Sequence, residues 1–173
     1  MSLPIRDDEY SILVFAMHWM IEKGANSFNQ FKRPLRCWLD ERPAIGEGER
    51  DLILFWYQSR LAFPDFDESA RIDLLYRSKE DRFFTSADMA GFAELPTMVG
   101  SPATVGVVPD ESDWWFHASR VGISPKSRQA ILHLVAFPYG NHWLNFGHLL
   151  LIGWDEDRSL RVNYEKPTVH PGK

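Results

Sequence analysis

The chain of 173 residues carries one cysteine, Cys37. An internal disulfide is therefore excluded, and a lone thiol fits a reducing compartment. Cys37 stands between Leu35 and Leu39 in an alternating run. That setting predicts a buried structural thiol, since a nucleophilic one needs a histidine base and none stands beside it. Long apolar runs are also missing. The best candidate, Tyr10 to Ile21, falls well short of the ~20 residues that a bilayer requires. It follows Asp7, Asp8 and Glu9 where a secretory signal has basic residues, and no small-residue cleavage site comes after it. A cytoplasmic protein without a membrane partner is expected. Positive charge is scarce: 19 Lys and Arg against 24 Asp and Glu, a net charge of −5. The densest basic cluster, Lys32, Arg33 and Arg36, runs straight into Asp40 and Glu41. Such a field opposes nucleic acid and suits a basic protein partner. There is no GxSxG, phosphate loop, CxxC, HxH or HExxH. No catalytic residue, metal ligand or cofactor is assigned, although a dispersed Ser–His–Asp set would leave no local trace.

Aromatic residues are plentiful at 14%, with seven Trp and twelve Phe. They serve either to fill a small core or to form a surface for a partner, because Trp and Tyr dominate interface hot spots. The length suits one domain over 1–173, with an ordered core over about 7–165. Two prolines in 166–173 predict a frayed tail.

The strongest local pattern is Ser119 to Val135, SRVGISPKSRQAILHLV. It predicts a β-hairpin with arms over Trp114–Gly122 and Gln129–Val135 and a polar turn around Pro125. The second arm is apolar on both faces, as in a strand buried on both sides of a sheet. Apolar residues at Tyr10, Leu13, Val14, Met17 and Ile21 predict a helix over Asp7–Lys23, stopped by Gly24. Further expectations are a strand over Leu35–Asp40, a helix over Glu49–Arg60, a strand over Arg71–Tyr76, a helix start at Ser78–Asp81, a helix over Ser86–Leu95 and a short strand at Thr104–Val108. Strands over Gly147–Trp154 and Leu160–Tyr164, joined by a turn at Asp155–Arg158, complete a C-terminal meander. The fold class is α+β: an N-terminal helix and a few short helices packed on an antiparallel sheet.

Ser119-Arg120-Val121-Gly122-Ile123-Ser124 followed by Gln129-Ala130-Ile131-Leu132-His133-Leu134 resembles a hairpin shared by uncharacterised small bacterial α+β domains. Their pattern is roughly SRVGF(N/D), a four-residue turn, (Q/R)ALVYV, then a glycine-containing loop and a strand that Gly147 to Ile152 would match. Tyr10–Ala16, Phe55–Arg60 and Asp81–Phe84 fit more loosely. The chain departs from the pattern where those domains carry cysteine–glycine pairs, here Phe137-Pro138-Tyr139-Gly140, and where their last strand starts with Trp, here Leu160. The resemblance implies a fold and brings no activity with it.

Three groups of side chains are candidates for chemistry. His117, His133, His142, His148 and His170 crowd the C-terminal third, but a register opposing Ala118 to His133 puts His117 and His133 on opposite faces, against a metal site. The acidic trios Asp65/Asp67/Glu68, Asp110/Glu111/Asp113 and Asp155/Glu156/Asp157 all fall in predicted turns and read as solvated. Arg120, a charge on a central hairpin, calls for a partner: a structural carboxylate or a ligand. The loop Phe137–Asn145, FPYGNHWLN, either caps the core or presents its aromatics. The expected contact residues are Trp114, Trp115, Arg120, Phe137, Tyr139, His142 and Trp143. A non-enzymatic protein-binding domain, of the kind that neutralises a basic bacterial toxin as an immunity or inhibitor protein, fits best. A small hydrolase using Arg120 with a histidine and a carboxylate at the sheet edge, and a structural or assembly subunit, are the alternatives.

Overall fold

The computed structural model describes residues 7–27, 31–44, 49–63, 66–79, 84–85, 97–141 and 143–169. The elements in chain order are α1 (Asp7–Ser27), β1 (Cys37–Leu39), α2 (Glu49–Ala62), α3 (Glu68–Ser78), β2 (Thr97–Val99), α4 (Pro102–Val105), β3 (Trp114–Ala118), β4 (Gly122–Ser124), β5 (Gln129–Pro138), β6 (Phe146–Trp154) and β7 (Leu160–Val169). The fold class is α+β, with one sheet in the order β2-β1-β3-β5-β6-β7 and β4 pairing with β5. Among the described residues only β1 makes parallel pairs, with β2 and β3, and the other pairs are antiparallel and end in the β5-β6-β7 meander.

Both faces of the sheet are covered, which explains why β5 and β6 are apolar on both sides. On one face α1 packs Leu13, Met17 and Met20 against Phe116, Leu132, Leu134 and Leu150. On the other, Phe55 and Phe63 with Ala70 and Leu74 of α3 cover Ile131, Leu149 and Leu151. Gly24 does not stop α1. A Cβ there would lie 2.7 Å from Phe146 Cζ and 2.8 Å from Trp114 Cη2, so glycine is what lets the last turns of α1 lie on the sheet.

Several expected elements differ. Arg71–Tyr76 is helical. Asp67 caps the helix by accepting from the Ser69 N–H, and the buried residues Ala70, Arg71, Leu74, Arg77 and Ser78 recur at helical spacing. Ser78, expected to start a helix, ends one, and Glu80 and Asp81 lie outside the described residues, as does the helix expected over Ser86–Leu95. The strand expected at Thr104–Val108 is replaced by the single turn α4, held by a Ser101–Thr104 capping box and closed by Gly106 at φ 76°. The presumed tail is strand as far as Val169, which pairs with Gly147. The sheet extends past the 165 boundary because Lys166, Pro167 and Val169 find partners on β6. Pro167 is tolerated there because β7 is an edge strand. The loop expected from Phe137 begins two residues later, since β5 runs to Pro138. Among the described residues no helix is long and apolar enough to cross a membrane.

Candidate binding surface

The first arm of the hairpin is broken at 119–121, and the break is built around charge. Arg120 is fully buried, so it belongs to no contact surface and to no open catalytic cleft. Its guanidinium donates from Nε (2.7 Å) and Nη2 (3.0 Å) to the two carboxylate oxygens of Glu9 on α1, also fully buried. Glu9 Oε1 accepts the Val121 N–H as well, at 3.0 Å. Arg77 of α3 stands 3.7 Å from the other oxygen and donates to Asp73, which accepts the Ile123 N–H at 2.8 Å. This fork tethers helices from both faces to one strand break. Gly122 fits the same scheme. A Cβ there would run into the Ala70 carbonyl and lie 2.8 Å from Leu74 N, so only glycine lets α3 approach β4. Ser119 replaces the missing ladder contact, its Oγ accepting the His133 N–H at 2.9 Å.

Glu9, Asp73 and Arg77 escaped the sequence reading. Glu9 follows Asp7 and Asp8 in the first turn of α1, and no local signal distinguishes a dipole-facing carboxylate from one that a distant arginine will claim. Two members of the acidic trios are likewise not solvated turn residues. Asp67 accepts from Ser124 Oγ (2.7 Å) and Ser127 Oγ (2.6 Å), and these bonds with the Ser69 N–H hold its carboxyl well below the usual range. Asp113 is buried. Burial alone would raise its carboxyl, but donors from Trp38, the Asp110 backbone and Arg36 together hold it below the ordinary value. Cys37 is buried, and desolvation, with Asp113 nearby, pushes its thiol up to about 12.

The observed register pairs Ala118 with Leu134, one residue away from the expected pairing. Across the strand break at 119–121 the register slips by one residue, from Gly122 opposite Ile131 to Ala118 opposite Leu134. His117 and His133 therefore lie on the same face, not on opposite ones. His133 Nε2 is 2.8 Å from Thr168 Oγ1, and burial, with smaller contributions from His117 and His148, pushes the ring down to about 4. It is neutral at pH 7. Among the described residues no three His, Cys, Asp or Glu side chains gather as metal ligands would.

The aromatic candidates separate into two groups. Trp114 is 1% exposed, with its ring edge-on to Phe31 and Phe146, so it is core and no contact residue. Its neighbour Trp115 faces the opposite way on β3. Trp115 stacks on Phe137, its cross-strand partner, with centroids 6.2 Å apart and planes 12° from parallel. It stacks on Tyr139 at 6.2 Å and 24°. All three rings are half-buried. Trp143, on the turn that follows, is 83% exposed. His142 lies outside the described residues. The turn is anchored by the Tyr139 N–H donating to the Asp113 carbonyl at 2.7 Å, and a Cβ at Gly140 would sit 3.0 Å from Glu111 Cβ. Exposed Glu111 is thereby held against the aromatic turn.

No protein-family model, curated protein or solved structure matches this chain. The surface must be read from its own chemistry. Stacked rings offer π faces, an exposed Trp offers a large apolar anchor, and Glu111 supplies negative charge. Together they favour a cationic, partly apolar contact.

Proposed function

We propose that the chain is a non-enzymatic protein-binding domain of the inhibitor or immunity type, acting in the cytoplasm on a basic protein partner. The observation that carries this is the Trp115–Phe137–Tyr139 stack with Trp143 83% exposed beside it. Large apolar rings exposed to water weaken a monomer's solubility and are the side chains that anchor interfaces. A net charge of −5 steers a basic partner towards the chain, and its lysines and arginines find ring faces and Glu111 on arrival. The test is to isolate the partner with the purified chain from its native host and to measure its affinity for wild type and Trp143→Ala at several salt concentrations. The expected loss is at least tenfold, with binding that weakens as salt rises. Equal affinities for the two proteins would overturn the assignment.

A second role, as an assembly subunit, is supported by α2, whose outward side presents Ile53, Leu54, Tyr57 and Leu61, all more than half exposed. Sedimentation across a range of concentrations separates the two: a dimer that Leu61→Glu dissolves favours assembly.

A further inference from the structure

At the opposite end of β5 and β6 from the aromatic stack lies a half-open cleft of about 490 Å³. It opens between the first turns of α1 and the two hairpin turns. Ile12, Trp154 and Leu160 form its floor, and Pro125 one wall. Arg158 and Asp8 stand at its polar margins. The volume is that of an ordinary small-molecule site, and an apolar floor with a few convergent polar groups is how such sites are built.

Arg158 is the informative residue. The acids of its own turn are already engaged: Asp155 pairs with Arg161, Glu156 lies 3.6 Å from Arg128, and Asp157 accepts the Ser159 N–H at 3.0 Å. Among the described residues the Arg158 guanidinium has no hydrogen bond and no ion pair. Its backbone sits at φ 65°, the left-handed region in which glycine is at ease and arginine is not. The turn would close better with glycine. A side chain that local geometry disfavours therefore delivers an uncommitted cation to the margin of an apolar cleft.

We propose that this cleft binds a small amphipathic carboxylate: an apolar or aromatic body on Ile12, Trp154 and Leu160, and one carboxylate on Arg158. The planar guanidinium matches a carboxylate in two-point fashion. The negative charge of Asp8 at the margin disfavours a dianion such as a phosphate monoester more than a singly charged carboxylate. A free acid and the C-terminal residue of a peptide share this chemistry.

The test uses the full chain and N-acetylphenylalanine, with N-acetylphenylalanine amide as the uncharged control, followed by the NMR signal of the Trp154 indole. The acid is expected to bind with Kd of about 1 mM or tighter, at least tenfold better than the amide. Arg158→Gly keeps the fold, with a melting temperature equal to or above wild type, and removes the preference for the acid. Arg158→Lys restores part of it. A peptide ending in phenylalanine, with a free or an amidated C-terminus, separates the two sources: tighter binding of the free terminus than of N-acetylphenylalanine assigns the site to chain ends, and equal binding assigns it to free acids. Equal binding of acid and amide, no binding of either, or acid binding by Arg158→Gly at wild-type strength would overturn the proposal. A lower melting temperature for Arg158→Gly would do so too, because the arginine would then be structural.

Discussion

The two ends of strands β5 and β6 treat polar and aromatic groups in opposite ways. At the hairpin end, Glu9, Arg120, Arg77, Asp73 and Asp67 are drawn inward and bonded to one another, to backbone N–H groups and to serines. At the other end, Trp115, Phe137 and Tyr139 stack half-buried and Trp143 is 83% exposed. Charge buried with its partners holds a fold in register, whereas a ring as exposed as that of Trp143 adds little to a monomer's stability. Substitutions should therefore cost most stability at the first end, and Trp143→Ala should cost affinity rather than stability at the second.

The largest stability loss is expected at the buried fork. Arg120→Met strands Glu9 without its guanidinium in a site closed to water. Removing one partner of a buried pair costs about 3–5 kcal/mol, read as a lower urea midpoint. The double variant Glu9→Leu with Arg120→Met is expected to be more stable than either single change, because no charge is left unpaired. If the single variants cost under about 1 kcal/mol, the fork behaves as a surface pair and the contrast between the two ends fails. Gly122→Ala belongs to the same class, since its methyl group meets the Ala70 carbonyl, and a loss of about 2–4 kcal/mol is expected.

Acid provides the next largest effect. The His133 ring is pushed down to about 4 in the folded protein against an ordinary value of 6.5. Between those pH values the unfolded chain binds more protons than the folded one, so stability rises with pH across the window and is lost as pH falls from 6.5 towards 4. A shift of this size corresponds to at most about 3–4 kcal/mol. His133→Gln removes this proton-linked loss while Thr168 keeps a hydrogen-bonding neighbour. Unfolding free energies at pH 7 and pH 4.5 for the two proteins measure the difference. Parallel pH profiles would show that the ring is not buried neutral.

How much of this was legible in the sequence depended on range. Period-2 and period-3.6 patterns revealed the meander, α1 and α2, because each element's burial is written in its own neighbours. Arg71–Tyr76 misled because six residues of mixed polarity satisfy both periods, and the deciding cap, Asp67, read as part of a solvated acidic turn. The cap, two serines of the hairpin and the Gln129 side-chain oxygen, which accepts the Asp67 N–H, all meet at Asp67 only after β4 and β5 have formed. Arg120 announced a need for a partner but not Glu9, which is 111 positions away. Trp114 and Trp115 look alike as letters. Strand alternation alone says that one faces in, and the break after Ala118 decides which face His117 and His133 share.

Asp67 allows a smaller test at the same end. Asp67→Ala removes the α3 cap and the acceptor for Ser124 and Ser127, with an expected loss of about 1–2 kcal/mol. Asp67→Asn should retain about half of that, since an amide oxygen still caps but binds two hydroxyls less strongly. Equal losses for the two variants would mean that the serine bonds add nothing to the cap.

The smallest stability effect is expected where the binding effect is greatest. Trp143 is 83% exposed, so its truncation to alanine removes little buried area and should move the unfolding free energy by no more than about 0.5 kcal/mol. Trp115→Ala is different in degree. It dismantles both stacks, each aromatic pair being worth about 0.5–1.5 kcal/mol beyond area, so a loss of about 1–3 kcal/mol is expected there. Comparing the two separates the anchor from the platform that holds it. If Trp143→Ala destabilises as much as Trp115→Ala, the turn folds back onto the core in solution and the aromatic end is a cap. If Trp143→Ala leaves stability untouched and weakens the partner complex, that end is exposed for binding, while the charged end a few strand residues away remains indifferent to the partner.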